Sequence, residues 1–257
     1  MSSGTVRLDI VGSVARVTFD RPEARNAMTW AMYEQLEAAC DRIAAEPALR
    51  CAILRGAGGK AFVAGTDIAQ FTAFTGAEDG VRYEDAMEPI LSKLAGLPVP
   101  TLAVVEGWAV GGGLALASLC DLRIATDDAR FGLPIARTLG NCLSMRNVAR
   151  LNALLGPARI KRIVMLAEML GAEELKACGY LADVASRERL DEKVSALVEK
   201  ILSHAPLTLR VTKQALLRLE GEMPADRDLI ETCYGSNDFK LGVAGFGTKT
   251  VPDWTGS

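Results

Sequence analysis

The stretch PTLAVVEGWAVGGGLA, residues 100–115, gives the first indication of the fold. Its Thr101–Val105 segment is a short apolar run, which predicts a buried strand. Three consecutive glycines, Gly111–Gly113, follow it and open a predicted helix, Gly112–Leu119. Glycine at a helix start lets a ligand approach the free N–H groups of the first turn, where the helix dipole favours negative charge. The stretch therefore predicts a strand, a ligand-binding turn and a helix.

Similar units lie on both sides of this stretch. Apolar or alternating runs predict further strands at Val6–Ile10, Val14–Phe19, Cys51–Leu54 and Leu122–Ala125. Helical spacing of apolar residues predicts helices at Thr29–Ala45 and Ala86–Leu94. Strands that alternate with helices are typical of a mostly parallel sheet in an α/β fold.

From Ala158 onward the pattern is almost entirely helical. The predicted helices are Arg159–Ala167, Glu173–Cys178, Glu188–Leu202, Pro206–Arg218 and Asp226–Cys233. No Pro-, Ser- or Gly-rich linker interrupts the chain, so the sequence does not mark a sharp boundary between an α/β part and a helical part. We expect an α/β core over residues 1–200, followed by a helical region over residues 201–257.

The composition excludes several classes of function. Of 257 residues one is histidine, His204, so a multi-histidine metal site is excluded and no metal is expected. The net charge is −3, and 29 basic and 32 acidic residues are intermixed, which does not support nucleic-acid binding. The apolar stretch Trp108–Cys120 is too short to span a membrane. Six cysteines are scattered singly and no signal peptide precedes them, so we expect reduced thiols and a cytoplasmic protein.

One further motif does not carry a function, and a serine-hydrolase motif is absent. The stretch GAGGKA, residues 56–61, matches a dinucleotide-binding fingerprint but is not followed by a helical pattern, so a surface turn is expected. No G-x-S-x-G motif is present, and His204 is expected simply at a helix end.

A second glycine-bearing segment, AFVAGTDI at residues 61–68, follows the strand predicted at Cys51–Leu54. Backbone N–H groups that converge from two such loops form an oxyanion hole, which stabilises charge on a carbonyl oxygen by roughly 3–4 kcal/mol per donor. The two glycine segments together therefore suggest a site for an oxyanion.

Four blocks of sequence occur in a characteristic order. They are FDRPEARNA at residues 19–27, AFVAGTDI at 61–68, PTLAVVEGWAVGGG at 100–113, and Cys120-Asp121 with ARFGLP at 129–134. In this order and spacing the chain strongly resembles the enoyl-CoA hydratase/isomerase (crotonase) family. The resemblance implies a spiral of ββα units with a helical C-terminal trimerisation region. It also implies a homotrimer or homohexamer that binds an acyl-CoA thioester, with no cofactor apart from the CoA of the substrate.

The resemblance assigns roles to particular residues. It makes the backbone N–H groups of Ala64 and Gly112 the two oxyanion donors. The residues that it assigns to CoA binding are Arg25, Ala27, Ala64, Asp67 and Ile68, together with Phe246 and Lys249, which are expected to reach the CoA of a neighbouring subunit.

The sequence departs from the family at two positions. Hydratases of the family carry one glutamate shortly after the glycine triplet and another after the Phe-Gly-x-Pro segment, and this chain has Ala115 and Ile135 there. Neither side chain can transfer a proton, and loss of a positioned acid or base costs about 10²–10⁴-fold in rate. The segment at 135–144 is also one residue longer than usual, so Arg137, Asn141 or Cys142 can face the acyl group, with Arg137 a candidate catalytic residue.

Other groups were considered for the missing chemistry. Some branches of the family carry an acid elsewhere, and the candidates are Glu84, Asp85, Glu88, Tyr234 and Asp238, for each of which a solvent-facing position is favoured. Cys142 is a possible nucleophile, and Asp121 is expected in a structural turn. The leading hypothesis is an enoyl-CoA hydratase-like or isomerase-like enzyme with weak hydration of crotonyl-CoA. The alternatives are a lyase, decarboxylase or thioester hydrolase of the same family, or a catalytically silent acyl-CoA-binding protein.

Overall fold

The structure is a computed structural model that describes residues 3–219, 227–248 and 250. The described strands are β1 (Thr5–Val11), β2 (Val14–Asp20), β3 (Cys51–Gly56), β4 (Ala61–Val63), β5 (Thr101–Val105), β6 (Trp108–Val110), β7 (Leu122–Thr126), β8 (Arg130–Gly132), β9 (Leu170–Gly171) and β10 (Asp183–Ala185). The described helices are α1 (Trp30–Ala45), α2 (Ala77–Ala95), α3 (Gly112–Leu119), α4 (Ile135–Thr138), α5 (Met145–Met165), α6 (Ala172–Ala177), α7 (Arg187–Leu202), α8 (Pro206–Arg218), α9 (Arg227–Tyr234) and α10 (Asn237–Thr248). The predicted α/β class is confirmed.

Two sheets organise the core. The first has the strand order β1-β2-β3-β5-β7-β10, in which β1 runs antiparallel to β2 and the other neighbours are parallel. The second has the order β4-β6-β8-β9, with β4, β6 and β8 parallel. The first sheet was largely predicted from its apolar runs. The second was not, because strands of two or three residues are too short to show a periodicity.

Local chemistry sets the ends of α1. The Thr29 hydroxyl accepts a hydrogen bond from the N–H of Met32, which caps the first turn. Met32, Leu36 and Ile43 form the buried face that holds the helix on the core. The helix ends at Ala45, two residues before Pro47, as its sequence predicted.

Helix α2 is longer than predicted. It begins at Ala77, nine residues before the predicted start at Ala86, because Asp79 accepts a hydrogen bond from the N–H of Gly76 and stabilises the first turn. The first half of α2 is rich in polar residues, so the sequence shows no helical spacing of apolar residues there. The extension matters because it places Tyr83 and Glu84 on a regular helix.

The C-terminal half corrects the prediction of an almost purely helical region. Strand β9 pairs with β8 in the second sheet, and β10 extends the first sheet beside β7. Helix α9 packs against α2, and α10 packs against α4 and the 3₁₀ segment Ile68–Ala73. The division at residue 200 remains a prediction. In the described part of the chain, no helix is both long and apolar enough to cross a membrane.

Candidate active site

A cavity of about 400 Å³ lies between the two glycine loops, α2 and the segment that follows β8. Gly65 and Gly111 both have positive φ angles, of 98° and 58°, which favour glycine. A Cβ atom on Gly111 would lie 3.6 Å from the Cα of Gly65, so the two loops meet there. The predicted convergence of the two segments is therefore present in the fold.

The donors at this junction differ from the predicted pair. The N–H of Ala64 already donates to the carbonyl oxygen of Arg25, at 3.1 Å, so it is not free for a ligand. This hydrogen bond corrects the expectation that Ala64 is an oxyanion donor. The N–H of Thr66 has no acceptor in the described part of the chain, and its nitrogen lies 3.6 Å from the position of a Cβ on Gly112. Gly112 occupies the first turn of α3, where N–H groups lack partners within the helix.

Three hydroxyl groups lie beside these two donors. The Thr66 hydroxyl contacts the Tyr33 hydroxyl at 2.8 Å and the Tyr83 hydroxyl at 3.2 Å. Burial raises the pKa of Tyr33 to about 12 and holds that of Tyr83 well above its ordinary value, so both remain protonated at neutral pH. Sequence analysis placed Tyr33 only in the apolar stripe of a helix and missed this cluster. A tyrosine within an apolar stripe can be a packed ring or can carry a functional hydroxyl, and the sequence does not distinguish the two.

The two positions at which family hydratases carry glutamates both line the cavity. Ala115 projects from α3 and Ile135 begins α4, and their side chains are about nine-tenths buried. The wall therefore presents a methyl and a sec-butyl group to a bound ligand. Neither group exchanges protons at any pH.

The segment after Pro134 contributes the side chains expected from its extra residue. Arg137, Asn141 and Cys142 all line the cavity. The Asn141 amide donates from Nδ2 to the Tyr234 hydroxyl at 3.4 Å, while its Oδ1 is buried without a hydrogen-bond partner among the described residues. That oxygen can accept a hydrogen bond from a bound ligand or water.

Two of the alternative acids are not solvent-facing helix residues, contrary to expectation. Glu84 is half-buried and lines the cavity, and Tyr234 is almost fully buried and donates its hydroxyl hydrogen to Glu84 Oε1 at 3.2 Å. Asp85 is exposed, as predicted. Glu88 pairs with Arg150 at 3.1 Å. Asp85, Glu88 and Asp238 do not line the cavity.

The residues assigned to CoA fall into two groups. Arg25, Ala64, Ile68 and Phe246 line the cavity. Ala27 and Asp67 do not, and both contact Arg21 instead. The Ala27 carbonyl accepts a hydrogen bond from it at 3.1 Å, and the Asp67 carboxylate forms an ion pair with it at 2.7 Å. These contacts indicate a structural role for Ala27 and Asp67, because Arg21 is buried. Lys249 lies outside the described residues.

A basic cleft adjoins the cavity. We define it by Arg25, Lys60, Arg130 and Arg187, with Asp128 at its edge. It is continuous with the cavity, because Arg25 and Trp108 line both. Arg187 is paired with Asp128 at 2.7 Å, whereas Arg25, Lys60 and Arg130 form no ion pair with any residue that the structure describes. Lys60 is exposed at the surface turn that the sequence predicted, but the sequence did not place it beside Arg25 and Arg130.

Two further predictions concern residues away from the cavity. Asp121 accepts hydrogen bonds from the Thr101 N–H, at 2.7 Å, and pairs with Lys213 at 2.8 Å, which confirms its structural role. His204 is exposed just beyond the end of α7, and its carbonyl oxygen accepts a hydrogen bond from Arg50. Within the described ranges, no group of three or more His, Cys, Asp or Glu residues is arranged to hold a metal ion.

Comparison with known proteins places this geometry in a family. A family model described as enoyl-CoA hydratase/isomerase matches residues 9–257. The chain is 32% identical to "(E)-benzylidenesuccinyl-CoA hydratase" of Thauera aromatica over 98% of this chain and 99% of that protein. It is similar to an enoyl-CoA hydratase/carnithine racemase structure from Magnetospirillum magneticum, with 31% identity and a TM-score of 0.80. The similarity covers 98% of this chain and 96% of that chain. It is also similar to a methylmalonyl-CoA decarboxylase in complex with 2-nitronate-propionyl-CoA, with 26% identity, 98% of each chain covered and a TM-score of 0.89.

Proposed function

Because the chain belongs to the enoyl-CoA hydratase/isomerase family, we propose that it acts on an acyl-CoA thioester held by the backbone N–H groups of Thr66 and Gly112. The observation that carries the proposal is that Thr66 and Gly112 both line a mostly apolar cavity, with the Thr66 nitrogen 3.6 Å from the position of a Cβ on Gly112. A thioester oxygen becomes more negative when the neighbouring carbon loses a proton or a carboxylate. The two N–H groups therefore stabilise the resulting enolate more strongly than the bound substrate.

The basic cleft is suited to the phosphate groups of CoA. Arg25, Lys60 and Arg130 supply positive charge at the point where the cavity opens. An acyl group in the cavity and phosphates in the cleft fit one extended ligand, because the two spaces share Arg25 and Trp108.

Replacing Lys60 by alanine is expected to raise the KM for an acyl-CoA substrate roughly tenfold, since one charge-assisted hydrogen bond to phosphate is lost. The KM for the same acyl group on pantetheine, which lacks the phosphates, should not change. Lys200→Ala, which removes an exposed lysine of α7, is the matched control. An equal effect on both substrates would exclude a phosphate contact at Lys60.

The leading reaction class is that of a hydratase or isomerase acting beside the thioester carbonyl. The cavity nevertheless lacks a carboxylate at Ala115 and at Ile135. We therefore expect crotonyl-CoA hydration to be about 10²-fold or more slower than in a relative that carries both glutamates. The loss of enoyl thioester absorbance measures this rate. Hydration at the rate of such a relative would show that those positions are not where the proton-transfer groups belong.

Decarboxylation is a second candidate, supported by the apolar walls at Ala115 and Ile135 and by the similarity to the methylmalonyl-CoA decarboxylase structure. Loss of carbon dioxide leaves the enolate directly, so no base is needed to remove a carbon-bound proton. Arg137 forms no ion pair within the described chain and is positioned to meet a substrate carboxylate. Malonyl-CoA and methylmalonyl-CoA, assayed beside enoyl-CoA esters for carbon dioxide release and thioester hydrolysis, separate these classes. Calorimetric binding without turnover would indicate a silent acyl-CoA-binding protein.

Self-association is also part of the proposal. Three large apolar side chains of α8 are each roughly three-fifths exposed: Leu207, Val211 and Leu216. Several exposed apolar side chains on one helix are typical of a protein–protein interface. We propose that α8 contributes to a homotrimer or homohexamer, and sedimentation that finds only monomer would contradict this. Cys40, Cys51, Cys120 and Cys178 are free thiols, which supports a reducing compartment such as the cytoplasm. A cell fractionation experiment that recovers the protein elsewhere would refute this location.

A further inference from the structure

Within the described residues, Glu84 is the one carboxylate that lines the cavity. It projects from α2, on a different element from α3 and α4, which carry Ala115 and Ile135. Apolar side chains of the same helix, Met87 and Leu91, line the cavity beside it. A half-buried carboxylate that lines a mostly apolar cavity is a candidate proton-transfer group.

The contacts of Glu84 fix its orientation. The Tyr234 hydroxyl donates to Glu84 Oε1 at 3.2 Å, and Asn141 Nδ2 donates in turn to the Tyr234 oxygen at 3.4 Å. The Tyr234 ring packs against Phe239 with ring centroids 4.9 Å apart. This packing, from α9 and α10, limits the movement of the hydroxyl that holds Glu84. Asn141 Oδ1 remains an unpaired acceptor next to the chain of donors.

Glu84 also lies close to the groups around the oxyanion donors. The high pKa values of Tyr33 and Tyr83 arise first from burial, and the negative charge of Glu84 raises both further. The Tyr33 hydroxyl lies 3.2 Å from the position of a Cβ on Gly112. Glu84 follows Tyr83 in α2, and the Tyr83 hydroxyl contacts the Thr66 hydroxyl at 3.2 Å, so α2 brings Glu84 to the cavity beside the loop that carries the Thr66 donor.

We propose that Glu84 is the catalytic residue that removes and returns the α-proton of the bound acyl-CoA, with Tyr234 as its positioning residue. This inference rests on the proposed function. In the forward step the carboxylate takes the proton from the α-carbon, and the C–H electron pair forms a double bond between the α-carbon and the carbonyl carbon. The π pair of the carbonyl moves to its oxygen, which becomes the enolate oxygen held by the N–H groups of Thr66 and Gly112. In the reverse step the neutral carboxylic acid returns the proton to carbon. One carboxylate suffices for this exchange and for migration of a double bond, whereas hydration of the usual kind employs two.

The test is solvent exchange of the α-protons of hexanoyl-CoA in D₂O, followed by NMR, with binding measured separately by calorimetry. The wild-type protein is expected to bind hexanoyl-CoA and to incorporate deuterium at the α-carbon. Glu84→Gln should lower the exchange rate by about 10²–10⁴-fold while the Kd changes less than threefold. Asp85→Asn makes the same chemical change at the exposed neighbouring position of α2, and it should leave the exchange rate unchanged.

Tyr234→Phe keeps the aromatic packing and removes the hydroxyl, so it should lower exchange roughly tenfold with an unchanged Kd. Binding without exchange in the wild-type protein would overturn the inference, and so would exchange in Glu84→Gln within about threefold of the wild-type rate. Absence of hexanoyl-CoA binding would instead contradict the proposed function itself. Binding and exchange thus report on the two proposals separately.

Discussion

Replacing Gly112 by proline is expected to lower acyl-CoA turnover about 10²–10³-fold below that of Gly112→Ala, because proline removes the backbone N–H proposed to hold the enolate oxygen. Proline is tolerated in the first turn of a helix, where its missing N–H has no helical partner. Gly112 does not have a positive φ, so its backbone does not demand glycine. The substitution therefore removes a donor without breaking α3.

Alanine at the same position is the matched control. Both variants place a Cβ 3.2 Å from the Tyr33 hydroxyl oxygen and 3.4 Å from the Thr66 hydroxyl oxygen, so the contacts of the Cβ are matched. The variants differ at the backbone nitrogen, where proline carries a ring carbon in place of the hydrogen. The comparison uses kcat for the acyl-CoA ester that the substrate panel identifies, with urea unfolding of both variants to verify that each is folded. Equal kcat values for the two variants would rule out the Gly112 N–H as an oxyanion donor.

Replacing Gly113 by alanine is expected to destabilise the fold by about 3 kcal/mol, the largest stability effect of a single methyl group at the site. A Cβ on Gly113 would lie 1.8 Å from the carbonyl oxygen of Val63 and 2.7 Å from its carbonyl carbon. Both atoms belong to the backbone of β4, so no side-chain rotation relieves the clash. Either α3 or β4 must move, and the two loops that carry Thr66 and Gly112 then separate.

Urea unfolding measures this effect through the transition midpoint and its slope. Gly247→Ala is the control, since nothing lies within 4 Å of a Cβ there and the residue is exposed on α10. Alanine in a helix is favoured over glycine, so the control should leave the stability unchanged or raise it by up to about 1 kcal/mol. Stability of Gly113→Ala within about 1 kcal/mol of wild type would mean that β4 and α3 are not packed as closely as described.

Much of the fold was readable from local patterns. The strand at Thr101–Val105 and the helix at Gly112–Leu119 were predicted with their observed ends, because an apolar run and a glycine triplet act within a few residues. Helix α1 was similarly predicted from a clear apolar stripe and from Pro47. The second sheet and the first half of α2 were missed, because very short strands and a polar helical turn leave no periodic signal.

The candidate site was also predicted only in part from the sequence. Sequence analysis identified both glycine loops and the loss of carboxylates at Ala115 and Ile135, and the structure places both of these residues on the cavity wall. It selected Ala64 as a donor in place of Thr66, because the two lie in the same loop and only the path of the backbone decides which N–H is already used. It also favoured solvent for Glu84 and Tyr234, because their partners lie about 150 residues apart in the chain.

The amino-acid sequence by itself determined the α/β class, the family and the absence of the usual glutamates, since these depend on residue identity and on spacing along the chain. Only the tertiary structure decided which N–H groups are free, that Lys60 belongs to a basic cleft, and that Glu84 meets Tyr234 at the cavity. The physical reason is that hydrogen bonds and burial depend on distances between elements that are remote in sequence. A pattern of apolar and polar residues specifies which face of a helix is buried, but it does not specify which distant side chain that face will meet.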